Sequence, residues 1–141
     1  MTSSVKVKKV INKIVTKDSR YDEEAYEFIG EAVSFTSTKL FRIGKLHKGN
    51  HISCEDLLNG IAEYAFLQFG PLAGTVLENW GIKSSQAIGN VVFNMIDENL
   101  LAASDDDNPL KFEFGPTFYE LFYKPFEEDA VGSELLEVID S

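Results

Sequence analysis

The sequence predicts a mainly α-helical single domain with a winged-helix-like core, and three observations lead to this prediction. Apolar residues recur at spacings of three and four in each long segment before residue 101, the pattern of a buried helix face. Residues 53–114 read as helix, turn, helix, turn, helix, and then an acidic loop and a short alternating segment. The 141 residues are enough for one compact domain, and no apolar run approaches the roughly 20 residues that span a bilayer.

Two helices are predicted ahead of this core. In the first, lysines alternate with a stripe of aliphatic residues, which are Val7, Val10, Ile11, Ile14 and Val15. The second is a long helix from Tyr21 to Gly44. The apolar stripe predicted to be buried in it consists of Tyr21, Ala25, Phe28, Ala32 and Phe35, with Leu40 as a further candidate. The first turn of this helix is acidic, which suits the positive end of the helix dipole, and Gly44 is a suitable C-terminal stop. We expect this long N-terminal helix to pack against the core.

The three core helices are marked by their boundaries. Ser53 with Asp56 three residues later nearly matches a capping box, and Gly70-Pro71 ends that helix and opens the next one. Gly81 ends the second core helix, and Ser84 or Ser85 caps the third.

A wing is predicted after the third core helix, over residues 101–114. Asp105, Asp106 and Asp107 would form its tip, and residues 110–114 alternate apolar and polar side chains as a half-buried strand does. Gly115-Pro116 then breaks the chain before a short aromatic helix from Thr117 to Phe126. The predicted domain therefore covers residues 1–126, and residues 127–141 form an acidic tail.

The charge of the chain argues against the usual activity of a winged helix. The net charge is −10, yet residues 1–20 carry six basic residues against one acid. The third core helix would enter the major groove of DNA, but residues 85–101 contain no Lys or Arg, and the predicted wing tip is acidic. We therefore expect no DNA binding through this face.

No catalytic, metal or cofactor site is predicted. His47, His51 and Cys54 have the spacing H-x3-H-x2-C, but a fourth zinc ligand is missing, and loop histidines with a small thiol explain the same pattern. The acidic run at 105–107 lacks the ligand spacing of a calcium loop. The sequence contains no phosphate-binding loop, dinucleotide fingerprint or nucleophile elbow.

Two groups of residues are candidate contact surfaces. The aromatic helix either closes the core with its tyrosines at the rim or exposes part of an interface; its residues are Phe118, Tyr119, Phe122, Tyr123 and Phe126. The first helix presents lysines that either form a solvated face or make a peripheral membrane or nucleic-acid contact; they are Lys6, Lys8, Lys9 and Lys13.

Several segments resemble an uncharacterised family of short bacterial proteins known mainly from planctomycetes and verrucomicrobia. The resemblance rests on AYEFIGEAVSFT, on HISCEDLLNGIAEYAFLQFGPLAGTVLENWGI, on IGNVVFNMIDENLL and on FYKPF, and it covers most of residues 20–126. It implies a bacterial cytoplasmic protein and brings no activity, substrate or catalytic residue. The lysine-rich first helix and the acidic tail depart from the family pattern.

The function expected from the sequence is a non-enzymatic protein-binding or assembly module that uses no cofactor. Binding would involve the acidic winged-helix-like surface and the aromatic segment, with a protein partner or a second copy of the chain. The alternative is a nucleic-acid-associated regulator that uses the lysine-rich first helix. A single cysteine and the absence of a secretory signal pattern favour the cytoplasm.

Overall fold

The computed structural model describes residues 2–44, 52–102 and 109–127, and every regular element in these ranges is helical. This confirms the mainly α fold. In the described ranges, no helix combines the length and the apolar content that crossing a bilayer requires. The elements in order are α1 (Thr2–Lys17), α2 (Glu23–Arg42), α3 (Cys54–Phe69), a 3-10 turn (Gly70–Leu72), α4 (Ala73–Asn79), α5 (Ser85–Asp97), α6 (Pro109–Phe114) and α7 (Phe118–Phe122).

Side-chain caps fix the starts of the main helices. Asp22 accepts from the backbone N–H of Glu24 at 2.9 Å, and Ser53 accepts from that of Asp56 at 3.1 Å. Each bond satisfies an N–H that has no partner inside its helix. Ser84, rather than Ser85, caps α5, and the buried Ser85 hydroxyl donates instead to the carbonyl of Pro116. The cap by Ser53 confirms the predicted start of α3.

The predicted strand at residues 110–114 is wrong, because this segment is the helix α6. Pro109 occupies the first position of α6, where a proline loses no hydrogen bond. Phe112 is buried against Gly89 of α5, where an added Cβ would lie 2.8 Å from the ring, whereas Phe114 is 83% exposed. The burial of Phe112 in a short helix, and not the half-buried face of a strand, therefore explains the apolar alternation of residues 110–114.

The structure does not support the winged-helix core. The ranges that it describes contain no strand, and the predicted wing tip at 105–107 lies outside them. Where a strand of the wing was expected, α6 packs against α5 instead.

The core is one continuous cluster to which all seven α-helices of the described ranges contribute. The longest interface joins α2 to α3; α1 and α5 pack on α2, and α7 packs on α3 and α4. The largest of its completely buried hydrophobic side chains are Tyr26, Ile29, Leu58, Ile61, Leu77, Ile82, Ile88, Val91 and Phe122. This arrangement leaves the outer surfaces of α2 and α3 available for contact.

A polar network holds the end of α1 against α5. The Arg20 guanidinium donates to both oxygens of Asp18, at 2.8 and 2.7 Å, and the Asn94 amide donates to Asp18 at 3.0 Å. The same amide donates to the hydroxyl of the buried Tyr26 at 3.0 Å. The hydrogen bonds from Arg20 hold the pKa of the Asp18 carboxyl well below its usual range, although partial burial opposes this shift.

Asp18→Asn is expected to lower the stability of the chain by about 1 kcal/mol at pH 7, because it removes a charge-assisted bond pair. Because the pKa of Asp18 is lower in the folded chain than in the unfolded chain, where it is about 3.9, the ionised carboxylate stabilises the fold at pH values above about 3.9. This contribution is lost as the pH falls from about 3.9 toward the pKa of the folded chain. The difference between wild type and variant should therefore shrink from pH 4 to pH 2. Urea unfolding at each pH measures it, and a difference that grows on acidification would contradict the assignment.

Candidate functional site

The aromatic segment begins at a complete capping box. Thr117 accepts from the backbone N–H of Glu120 at 3.1 Å, and the Glu120 carboxylate accepts from the backbone N–H of Thr117 at 3.3 Å. Phe118 and Phe122, one helical turn apart, are 7% and 0% exposed, with ring centroids 4.7 Å apart. These two rings lie in the core and anchor α7 there.

Of the remaining predicted aromatic residues, Tyr123 packs on α4 and Phe126 packs on α3, whereas Tyr119 contacts Glu127 of its own segment. Tyr123 is half-buried against Gly74 and donates to Glu78 at 2.7 Å, a bond that raises the pKa of Tyr123. Phe126 meets Phe66 of α3 edge-to-face, with ring centroids 4.9 Å apart. Tyr119, 49% exposed, is hydrogen-bonded to Glu127. The structure thus brings the five predicted residues together, with Tyr119 as the most exposed of them.

The lysines of α1 do not form one uniform face. Lys6, Lys8 and Lys9 are exposed. Lys13 and Lys17 are also exposed, but Lys13 pairs with Glu98 at the end of α5 at 3.2 Å, and Lys17 pairs with the same carboxylate at 3.1 Å. The hydrogen bonds from Lys17 and then Lys13 lower the pKa of Glu98. Two of the cations on α1 therefore tie this helix to α5.

A groove of about 520 Å³ lies between the C-terminal half of α2 and the facing side of α3. Its apolar walls include Ile43 and Leu67, which are 56% and 66% exposed. Phe35 lines it from α2, with its ring centroid 5.3 Å from that of Tyr64. The complete lining is Ser34, Phe35, Thr38, Lys39, Arg42, Ile43, Glu63 and Leu67.

The rim of this groove is polar. Lys39 forms an ion pair with Glu63 across the two helices, and both side chains are about half exposed. Arg42 is also exposed and lies on the same rim. An apolar floor with a charged rim is typical of a surface that binds another polypeptide.

The sequence interpretation missed this groove. It placed Phe35 on the buried stripe of α2 and gave no position to Ile43 or Leu67. One available signal was that Leu67 lies beside Phe66 but outside the helical stripe that runs through Leu58, Ile61 and Ala65. An aliphatic residue off the buried stripe of an amphipathic helix marks an exposed apolar position.

A second groove of about 500 Å³ separates α1 from α2. Val7 and Ile11 form one wall, Tyr26 and Gly30 belong to the other, and Leu100 and Leu101 also line it. Lys8 stands on its rim with Glu27 and Glu31. This groove is more polar and follows the junction of two packed helices.

The structure describes one of the three hypothetical zinc ligands. His47 and His51 lie outside these ranges, and Cys54 is half-buried in the first turn of α3. Within residues 2–44, 52–102 and 109–127, no cluster of three or more His, Cys, Asp or Glu residues could hold a metal ion.

The fold and this surface define the class: a chain with a helical core that exposes an apolar groove between α2 and α3. The chain matches no protein-family model, no curated protein and no solved structure. The resemblance to the bacterial family therefore stays a prediction.

Proposed function

We propose that this chain is a non-enzymatic protein-binding module and that its binding surface is the groove between α2 and α3. The observation that carries the proposal is the concentration of exposed apolar side chains at this place. Ile43 and Leu67 line the groove, and Phe41, which lies two residues before Ile43 in the sequence, is 71% exposed. Exposed apolar clusters with a polar rim mark interaction sites.

The groove suits a helical ligand better than a small molecule. It is open along two neighbouring helices, and Phe35 and Leu67 stand on opposite walls. Side chains at one-turn spacing on an amphipathic helix could insert between them, as in other helix-in-groove complexes. The buried positions of Phe118 and Phe122 favour an anchoring role for the aromatic segment, so we assign the binding surface to the groove.

The alternative, a nucleic-acid-associated regulator, is supported by the exposure of Lys6, Lys8 and Lys9. Its weakness is that two further exposed lysines of α1, Lys13 and Lys17, are paired with Glu98, and that the whole chain has a net charge of −10. Phosphate binding depends on the number of cations that neutralise it. We therefore place this alternative second.

Leu67→Glu is expected to abolish partner binding, because it puts a carboxylate on the apolar wall of the groove. The matched control is Leu72→Glu, since Leu72 is 64% exposed and lies outside the groove. Both substitutions are at exposed positions and should change the stability by no more than about 0.5 kcal/mol. Affinity capture with the tagged wild type and both variants, from a lysate of the encoding organism, measures the effect.

The capture is run with and without nuclease. A stoichiometric protein that wild type and Leu72→Glu retain after nuclease treatment, and that Leu67→Glu loses, supports the proposal. Recovery that disappears with nuclease in all three samples would favour the nucleic-acid alternative. Equal retention by the two variants would contradict the groove as the binding surface.

A further inference from the structure

The helix α2, which forms one wall of the groove, carries opposite charges in its two halves. Its first ten residues include four acidic and no basic ones, whereas its last ten include two basic and no acidic ones. Glu31 and Arg42 are both exposed and lie about 16–17 Å apart along the axis, too far for an ion pair within one helix. Neither of them forms an ion pair with any residue that the structure describes.

The side chains between these two charges are short or lie in the groove wall. Ser34 and Thr38 are exposed and line the groove, and Phe35 lines it from a half-buried position. Together with Glu31 and Arg42, these residues recur at spacings of three and four, so they form one stripe along α2. Because the distance between packed helices depends on the side chains at the contact, short side chains at the centre of the stripe let a second helix approach closely.

The stripe is complementary to itself when two copies of α2 run antiparallel. A two-fold axis between residues 36 and 37 lies midway between Glu31 and Arg42, so it places Glu31 of each copy opposite Arg42 of the other. The same axis places Phe35 of each copy opposite Thr38 of the other. A parallel pair would instead bring like charges together, which is unfavourable. The charges thus select one orientation and form two equivalent ion pairs.

The exposed apolar side chains of this region flank the stripe. Ile43 follows α2 directly, and Leu67 lies across the groove on α3. In the antiparallel pair, the Leu67 side chain of each copy contacts the α2 helix of the other and is removed from water. Apolar contacts around a self-complementary charge pattern favour a second copy of this chain as the helical ligand.

We propose that this chain pairs with a second copy of itself along α2, with the two helices antiparallel and with Glu31 of each copy bound to Arg42 of the other. This inference rests on the proposed function of the groove and names its partner. In the affinity capture described above, the retained protein is then the untagged chain itself.

The test is charge reversal in separate and mixed variants. Glu31→Arg and Arg42→Glu each turn two attractive contacts of the dimer into repulsive ones, so each variant alone should raise the dimer dissociation constant at least about tenfold. In an equal mixture of the two variants, each reversed charge meets its opposite across the two-fold axis. A heterodimer should therefore form with a dissociation constant within about threefold of the wild-type value.

Sedimentation velocity over a concentration series measures these dissociation constants. Native mass spectrometry separates the heterodimer from both homodimers, because the two variants differ in mass. Circular dichroism verifies that each variant is folded, as expected for substitutions at exposed positions.

Two control variants separate the contact from other effects of the substitutions. Glu113→Arg changes the net charge as Glu31→Arg does, but Glu113 is an exposed residue of α6 that lies outside the lining of the groove. Tyr64→Phe removes the hydrogen bond that Tyr64 donates to Glu31 at 3.0 Å and keeps both charges of the stripe. Both controls should dimerise as the wild type does.

Three results would overturn the pairing. The first is a wild-type chain that stays monomeric over the whole concentration series. The second is a dimer that Glu31→Arg and Arg42→Glu form as tightly as the wild type. The third is a mixture of these two variants that yields no heterodimer.

The pairing and the proposed function fail separately. A monomeric wild type that captures a different protein, which Leu67→Glu loses, contradicts the pairing alone. A dimer that the charge reversals weaken but Leu67→Glu leaves intact, with equal capture by Leu67→Glu and Leu72→Glu, contradicts the groove as the binding surface alone.

Discussion

Replacing Gly81 by alanine is expected to destabilise the chain by about 2–4 kcal/mol, one of the largest effects of any single methyl group in this fold. Gly81 has a φ of 95°, a conformation that L side chains rarely adopt. A Cβ at this position would also lie 2.2 Å from the carbonyl oxygen of Arg20. A side chain at a positive φ strains the turn after α4, and the close approach of the Cβ forces the backbone at residue 81 away from the backbone at Arg20.

The segments cannot separate freely, because hydrogen bonds hold them together. The N–H of Asp22 donates to the carbonyl of Trp80 at 3.0 Å, and the indole N–H of Trp80 donates to Glu24 at 2.8 Å. Movement of the turn at residue 81 would break the contact between the start of α2 and the end of α4. A polar group that loses its partner in this way adds to the loss of stability.

Gly44→Ala is the matched control for Gly81→Ala. Gly44 also has a positive φ, 76°, but a Cβ there would meet nothing within 4 Å. This variant should lose only the conformational part, about 1–2 kcal/mol. Urea unfolding gives both values. Equal losses would show that the approach to Arg20 contributes nothing.

The helix starts could be predicted from the sequence because they depend on local chemistry. Ser53 bonds to an N–H three residues away, so the capping residue and its partner are both visible in one short segment. The buried stripe of α2 is local in the same sense, because its period is set by the helix itself. The stripe predicted Ala25, Phe28 and Ala32 as core residues, and all three are buried.

The structure of residues 109–114 could not be predicted in this way. Five alternating residues fit a strand, but the same letters fit a short helix that buries one aromatic ring. The choice depends on Gly89, more than 20 residues earlier, which leaves room for Phe112 on α5. The decisive contact is tertiary and overrides the local pattern.

The groove was missed for a related reason. Its walls come from Phe35 on α2 and Leu67 on α3, and nothing in either helix alone shows that the two face the same opening. The aromatic segment shows the same limit: its composition predicts a cluster, but the division into buried and exposed rings depends on α3 and α4. Helical spacing indicates only that Phe118 and Phe122 share a face.

Gly60→Ala should reduce the stability by about 2–3 kcal/mol, even though alanine is the better helix former. Gly60 lies at the α2–α3 interface, where a Cβ would be 2.1 Å from the Oγ1 of Thr36 and 2.4 Å from its Cγ2. Thr36 is 2% exposed, and its hydroxyl donates to the carbonyl of Ala32 at 2.7 Å. Because Thr36 has no free space to turn into, the added methyl group must push the two helices apart.

A double-mutant cycle with Thr36→Ala isolates this contact. Thr36→Ala removes the two closest atoms and leaves only the Cβ of residue 36, at 2.7 Å from the new methyl group. The loss of unfolding free energy in the double variant should therefore be smaller than the sum of the two single losses by at least about 1 kcal/mol. Urea unfolding of the four proteins measures the coupling. Additive losses would mean that α2 and α3 do not meet through these two residues.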